Sequence, residues 1–161
     1  MRHLSPTAIV LARAVAMTGL IVMPAQAEPN RVIFPADLAQ LVHYATVRRG
    51  PSTEHILTSQ AALDAMKAGK PTPEGTRFVL VDNRDGAPYR IFVMQKGAGF
   101  GAEYDERRRT ADWQFQWFWP DKSVNMQENT ARCQSCHQSR AESEYIFTFS
   151  QLKTFSGRPV E

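Results

Sequence analysis

Cysteine is nearly absent from this chain, with only Cys133 and Cys136 among 161 residues. A structural zinc site needs about four ligands set close in order. Here only His137 lies near the pair, while His43 and His55 are distant, so such a site is short of ligands. Long apolar runs are also lacking. Beyond residue 27 no segment approaches the roughly 20 apolar residues that span a bilayer. Neither sign of charge dominates, since 19 Lys and Arg face 16 Asp and Glu for a net +3. There is no internal repeat and no low-complexity tract.

The N-terminus supplies the one short apolar run. Arg2, His3 and Arg13 flank or precede Ala14–Met23, and Pro24-Ala25-Gln26-Ala27 follows. A basic start, a short apolar stretch and small residues at an A-x-A site form the pattern of a secretory signal peptide. Residues 1–27 are read as that signal, with a retained N-terminal anchor as the alternative. Residues 28–161 are read as one domain that needs no membrane span. Removing residues 1–27 takes away Arg2 and Arg13 and no acid, so the charge falls from +3 to +1. A balance so near zero speaks against a nucleic-acid partner. Export places the protein in the periplasm, an oxidising compartment.

The body of the chain is rich in strand signals. Leu41–Val47, Glu54–Thr58, Thr76–Asp82, Tyr89–Gln95 and Trp113–Trp119 read as five strands. Arg48–Ser52, Lys70–Gly75 and Asn83–Pro88 read as turns, and Gly97, Gly99 and Gly101 as a flexible loop. Pro35–Gln40 reads as a short helix. Ser59 caps a helix over Gln60–Ala68 that Gly69 ends. In Trp113–Trp119 the aromatic residues alternate, which sets Trp113, Phe115, Trp117 and Trp119 on one face. Tyr145–Phe155 is an apolar tail, helix or strand, that should pack back on the domain. The expected class is mainly β (α+β), a single domain with a roughly five-stranded antiparallel sheet and short helices.

The two cysteines stand in Cys133-Gln134-Ser135-Cys136-His137. This is C-x-x-C-H, the attachment signature of c-type haem. Thiols at that spacing can each add to one vinyl group of a single porphyrin, and the following histidine then meets the iron. A dithiol redox pair is the competing reading, and usually follows the strand of a βαβ unit. Together with export, the motif predicts one covalently attached haem c near the C-terminus, with His137 as an iron ligand. Arg132, next to Cys133, is the candidate propionate partner.

The order of these pieces resembles the cytochrome P460 family, including its β-sheet cytochrome c′ members. The resemblance rests on Phe34-Pro35, the Ser59–Gly69 helix and Pro73-Glu74-Gly75-Thr76 before a strand. It continues through the aromatic strand, the C-x-x-C-H, Ala141, Glu144 and Ile146-Phe147-Thr148. It implies an antiparallel β domain, commonly a homodimer, with five-coordinate iron, His137 proximal and an open, partly apolar distal side. Members of the family oxidise hydroxylamine or bind nitric oxide. The oxidising members carry a haem-linked lysine on the strand after the Gly-Thr turn, where this chain has Leu80. Arg77 is the only basic residue of that strand, Thr76–Asp82.

The resemblance therefore favours a periplasmic cytochrome that binds nitric oxide or a similar small ligand. Hydroxylamine-type oxidoreductase activity and six-coordinate electron transfer, with an unidentified redox partner protein, are the alternatives. Its distal pocket is expected to draw on His55, Phe78, Leu80, Phe92 and Glu144. His55 would be a hydrogen-bond donor to a bound ligand, a sixth iron ligand or a plain strand residue. Met66, Met94 and Met126 are the other sixth-ligand candidates, although Met is also a common core filler. His43 reads as structural, and Arg107-Arg108-Arg109 as a solvated loop or a docking patch.

Overall fold

The computed structural model describes residues 30–102 and 104–161. The signal expected over residues 1–27 lies outside the described residues. Five strands form one antiparallel sheet in sequence order: β1 (Val42–Arg49), β2 (Ser52–Thr58), β3 (Arg77–Arg84), β4 (Ala87–Gly101) and β5 (Ala111–Phe118). Helix α1 (Gln60–Lys67) joins β2 to β3, and α2 (Ala131–Gln138) and α3 (Phe149–Thr154) follow the sheet. The mainly β, single-domain expectation holds.

Turn chemistry accounts for the register. Arg49 pairs with Ser52, leaving the two-residue loop Gly50-Pro51 with Gly50 at φ 57°. Arg84 pairs with Ala87 across Asp85-Gly86, both left-handed at φ 50° and 78°. Two-residue loops of these kinds match the twist of a hairpin. Both turns are tighter than expected, so β1, β2, β3 and β4 each run further toward them.

Helix α1 begins where Ser59 Oγ accepts the Ala62 N–H at 3.2 Å. It ends in a Schellman motif: the Lys70 N–H donates to the Ala65 carbonyl at 2.9 Å, and Gly69 N–H to Met66 at 3.1 Å. Expectation and structure differ by one residue here. The helix expected at Pro35–Gln40 shrinks to a 3-10 turn over Leu38–Gln40.

Gly97, Gly99 and Gly101 are not a flexible loop. They lie inside β4, across a register shift between Lys96 and Gly101. A Cβ at Gly101 would come within 2.5 Å of Thr110 Oγ1 and the Trp113 carbonyl. Glycine here serves close strand approach rather than mobility.

Both faces of the sheet are covered, so adjacent strand residues enter different cores. Phe78 joins Tyr44, Leu63, Met66, Met94, Trp113, Leu152 and Phe155 beneath the helices. Its neighbour Val79 joins Val32, Ile91, Val93 and Phe118 under the incoming segment with Phe34 and Leu38. The tail expected to pack back does so, as α3 with Leu152 and Phe155 in the first core. Val160 bonds to Tyr44 and Thr46 along the outer edge of β1, which shields an edge strand from further pairing.

Leu63 is fully buried on α1, away from the cysteine motif. Leu63→Ala should lower the unfolding free energy by about 2–5 kcal/mol in a denaturant titration. A loss under about 1 kcal/mol would mean that α1 is not part of the cooperative core.

Candidate haem site

The sequence Cys133–His137 lies on α2. Asn129 starts that helix by accepting the Ala131 N–H at 3.0 Å. Residues three apart share a helix face, so Cys133 and Cys136 point to one side. Gln134, between them, is buried. Cys133 packs against the first core, while Cys136 is exposed. Burial pushes the Cys133 thiol up to about 11, so it stays protonated at neutral pH.

His137 sits against β5. Its ring centroid lies 4.5 Å from that of Phe115 and 4.9 Å, edge-on, from that of Phe147. Nδ1 is 2.6 Å from the Tyr145 carbonyl oxygen. A carbonyl only accepts, so Nδ1 carries the proton and donates, and Nε2 is left with its lone pair. Burial also pulls the His137 pKa down, against the opposing effect of that hydrogen bond. The neutral imidazole with a free Nε2 is the form that binds metal.

The face of the sheet beneath α2 is ordered in rows by strand pairing. Phe78, Met94 and Phe115 form the row at His137. The next row, about 7 Å along the strands, is Ile56, Leu80, Phe92 and Trp117. Leu80, Phe92 and Trp117 are only half-buried, so this row is an apolar shelf. Trp119, expected in the stripe, lies just past the end of β5 with its ring 5.4 Å from Trp117. Beyond the shelf comes a charged row of Glu54, Asp82 and Arg90. Asp82 is fully buried; burial alone would raise its pKa, but Arg90 at 2.8 Å, Ser52 and Arg84 hold it low. Glu54 is pushed up, first by burial and further by Asp82, against the opposing charges of Arg49 and Arg90.

These features fit a haem. Two thiols share one helix face, a neutral imidazole presents Nε2, and an open apolar shelf adjoins them. On that shelf Trp117 Nε1 is a buried donor without a partner, the kind of orphan that a bound polar group would satisfy.

Several expected pocket residues lie elsewhere. His55 neighbours Ile56 on β2 and therefore points to the opposite face, where its ring lies 4.7 Å from that of His43. His43 bonds to the Ala45 carbonyl at 2.9 Å. Phe78 is core, packed between Tyr44 and Trp113. Glu144 lies on the other side of His137 from the shelf. It bonds to Thr72 and lines a cavity of about 210 Å³ with Lys96, Trp113 and Tyr145. Met66 and Met94 are buried in the core, and Met126 is 86 % exposed. Arg132 is exposed beside Cys136, near Glu128 at 3.7 Å. Arg107–Arg109 form a surface turn in which Arg108 pairs with Asp105. Leu80 and Phe92 face each other on the shelf. The charged row was missed, although Glu54-x-Ile56, Leu80-x-Asp82 and Arg90-x-Phe92 carry a period-2 signal for it.

An antiparallel sheet bearing this helix and shelf defines a haem-binding β domain. A profile of the cytochrome P460 family matches residues 37–148, more than two thirds of the chain. The protein belongs to that family. No curated protein matches it.

The contrast between the thiols is testable in haem-free, reduced protein. At pH 8 a thiol with a pKa of about 11 is only about one part in a thousand ionised. Alkylation followed by mass spectrometry should modify Cys136 first. The Cys133 rate should climb about tenfold per pH unit from pH 8 to 10, because rising pH creates its thiolate. Equal rates at pH 8 would show that α2 is not seated on the sheet.

Proposed function

We propose that this protein is an exported mono-haem c-type cytochrome that binds nitric oxide or a similar small uncharged ligand. Cys133 and Cys136 would hold the haem by thioether bonds, and His137 Nε2 would be the fifth iron ligand. Haem, when bound, supplies an iron whose remaining axial position takes the ligand.

The chain's own residues determine what that position meets. The observation that carries the reading is the uninterrupted apolar row Ile56–Leu80–Phe92–Trp117 beside His137. No Lys, His or Met lies in that row. Met66 and Met94 lie in the core, Met126 lies out in solvent, and His55 faces away. A shelf of this kind excludes water and disfavours anions, because burying an unpaired charge is costly. It leaves small neutral molecules as the favoured guests. Leu80 has no amine to form a haem cross-link, which speaks against hydroxylamine oxidation by the route of the family's oxidising members.

The visible spectrum of the reduced, haem-loaded protein tests this directly. The expected result is one broad high-spin band that changes when nitric oxide is added. Hydroxylamine with an artificial electron acceptor should give no turnover. Sharp split bands indifferent to nitric oxide would mean a sixth protein ligand and would replace this reading with electron transfer.

A further inference from the structure

Glu144 and Tyr145 are consecutive non-glycine residues in the left-handed region, at φ 50° and 63°. Side chains seldom adopt that conformation, and it persists where the surroundings impose it. The surroundings here are specific. The Glu144 carboxylate accepts the Thr72 N–H at 3.2 Å to each oxygen and the Thr72 hydroxyl at 2.7 Å. Lys96 Nζ stands 3.6 Å from the same carboxylate and donates to the Thr72 carbonyl at 2.8 Å. Thr72 is only 3 % exposed, and Lys96 lies over the Trp113 ring. From the other direction, the Tyr145 N–H donates to the Arg140 carbonyl at 2.8 Å. Held at both ends, the turn aims the Tyr145 carbonyl at His137 Nδ1.

We infer that Glu144 is a positioning residue for the proximal histidine. Locked by Thr72 and Lys96, its carboxylate fixes the left-handed pair and with it the length of the Tyr145–His137 hydrogen bond. A firm acceptor at Nδ1–H makes Nε2 a stronger donor to iron, and partners of this outer rank tune metal sites. The inference rests on the proposed role of His137 as iron ligand.

The test uses the haem-loaded protein and two readouts, the ferrous iron–histidine stretch by resonance Raman and the midpoint potential. Glu144→Gln keeps the side-chain shape but loses the charge and presents an amide N–H toward Thr72. It should move the stretch to lower frequency and raise the potential. Lys96→Met removes the ammonium from Glu144 and from the Thr72 carbonyl but leaves the Thr72 bonds to the carboxylate, and should shift both in the same direction by less. The exposed Glu142→Gln serves as control and should shift neither. Wild-type values for both readouts in folded Glu144→Gln would overturn the inference and leave Glu144 a stability residue. Should Glu144→Gln not accumulate, Lys96→Met decides on the same readouts. A wild-type protein with no iron–histidine stretch would instead refute the axial role of His137, which separates the two failures.

Discussion

One hydrogen bond governs the site. An imidazole offers its lone pair at whichever nitrogen lacks the proton, and the Tyr145 carbonyl at 2.6 Å settles that choice for His137. Without an acceptor at Nδ1 the ring could rotate or change tautomer, and the free nitrogen would have no fixed direction. The acceptor comes from a turn rather than from a helix or strand. It depends on a left-handed backbone pair held from one side by Thr72 and Lys96, far away in sequence, which grip the Glu144 carboxylate, and from the other by the Arg140 carbonyl. The motif on α2 supplies the reactive groups, and the sheet and the loop at Thr72 supply their orientation.

The sheet contributes by sorting. The strand period of two, fixed across β2 to β5 by antiparallel register, produces rows of distinct chemistry on one face. The charged row lies at one end, then the apolar shelf, then the aromatic row that seats His137, then Lys96 and Trp113. The arrangement keeps polarity local. Asp82 is matched by Arg90 in its own row and by Arg84 two residues further along β3, away from the shelf. The Arg90 guanidinium lies over Phe92 and Trp117 as well, at 4.9 and 5.2 Å from their ring centroids. The charged end therefore reaches over the edge of the shelf at Phe92 and Trp117.

What could be read from the sequence was what local chemistry dictates. C-x-x-C-H, the Ser59 cap with its Gly69 terminus, the strand cores and the alternation of Trp113, Phe115 and Trp117 depend on neighbours in the chain. The failures involve register or distant partners. Glu54 and His55 are adjacent in the chain, and only strand pairing decides which of them shares a face with Leu80. His55 was expected at the site and Glu54 is found bordering it. Phe78 and Phe92 are both aromatic strand residues, yet one lies beneath helices and the other on open shelf, a difference set by where α1 and α3 end. Gly97, Gly99 and Gly101 carry a loop composition, but each has its own structural reason: the Phe100 ring crowds Gly97, Gly99 has φ 69°, and Thr110 and Trp113 approach Gly101.

Position 80 shows how one side chain sets the character of the whole face. Leu80 pairs with Ile56 on one side and Phe92 on the other, so it sits in the middle of the row. An ammonium there would interrupt the apolar surface and lie one pleat from the buried Asp82, which already has two guanidiniums. Charge at position 80 is worthwhile only where it forms a bond or meets an anion. With leucine the row stays continuous, and the Asp82 carboxylate next to it is paired with Arg84 and Arg90 rather than with a group on the shelf. The chemistry left to the shelf is contact, exclusion of water and selection by size and polarity. The shelf therefore acts through shape and polarity, while the imidazole of His137 beside it is oriented by the Tyr145 carbonyl.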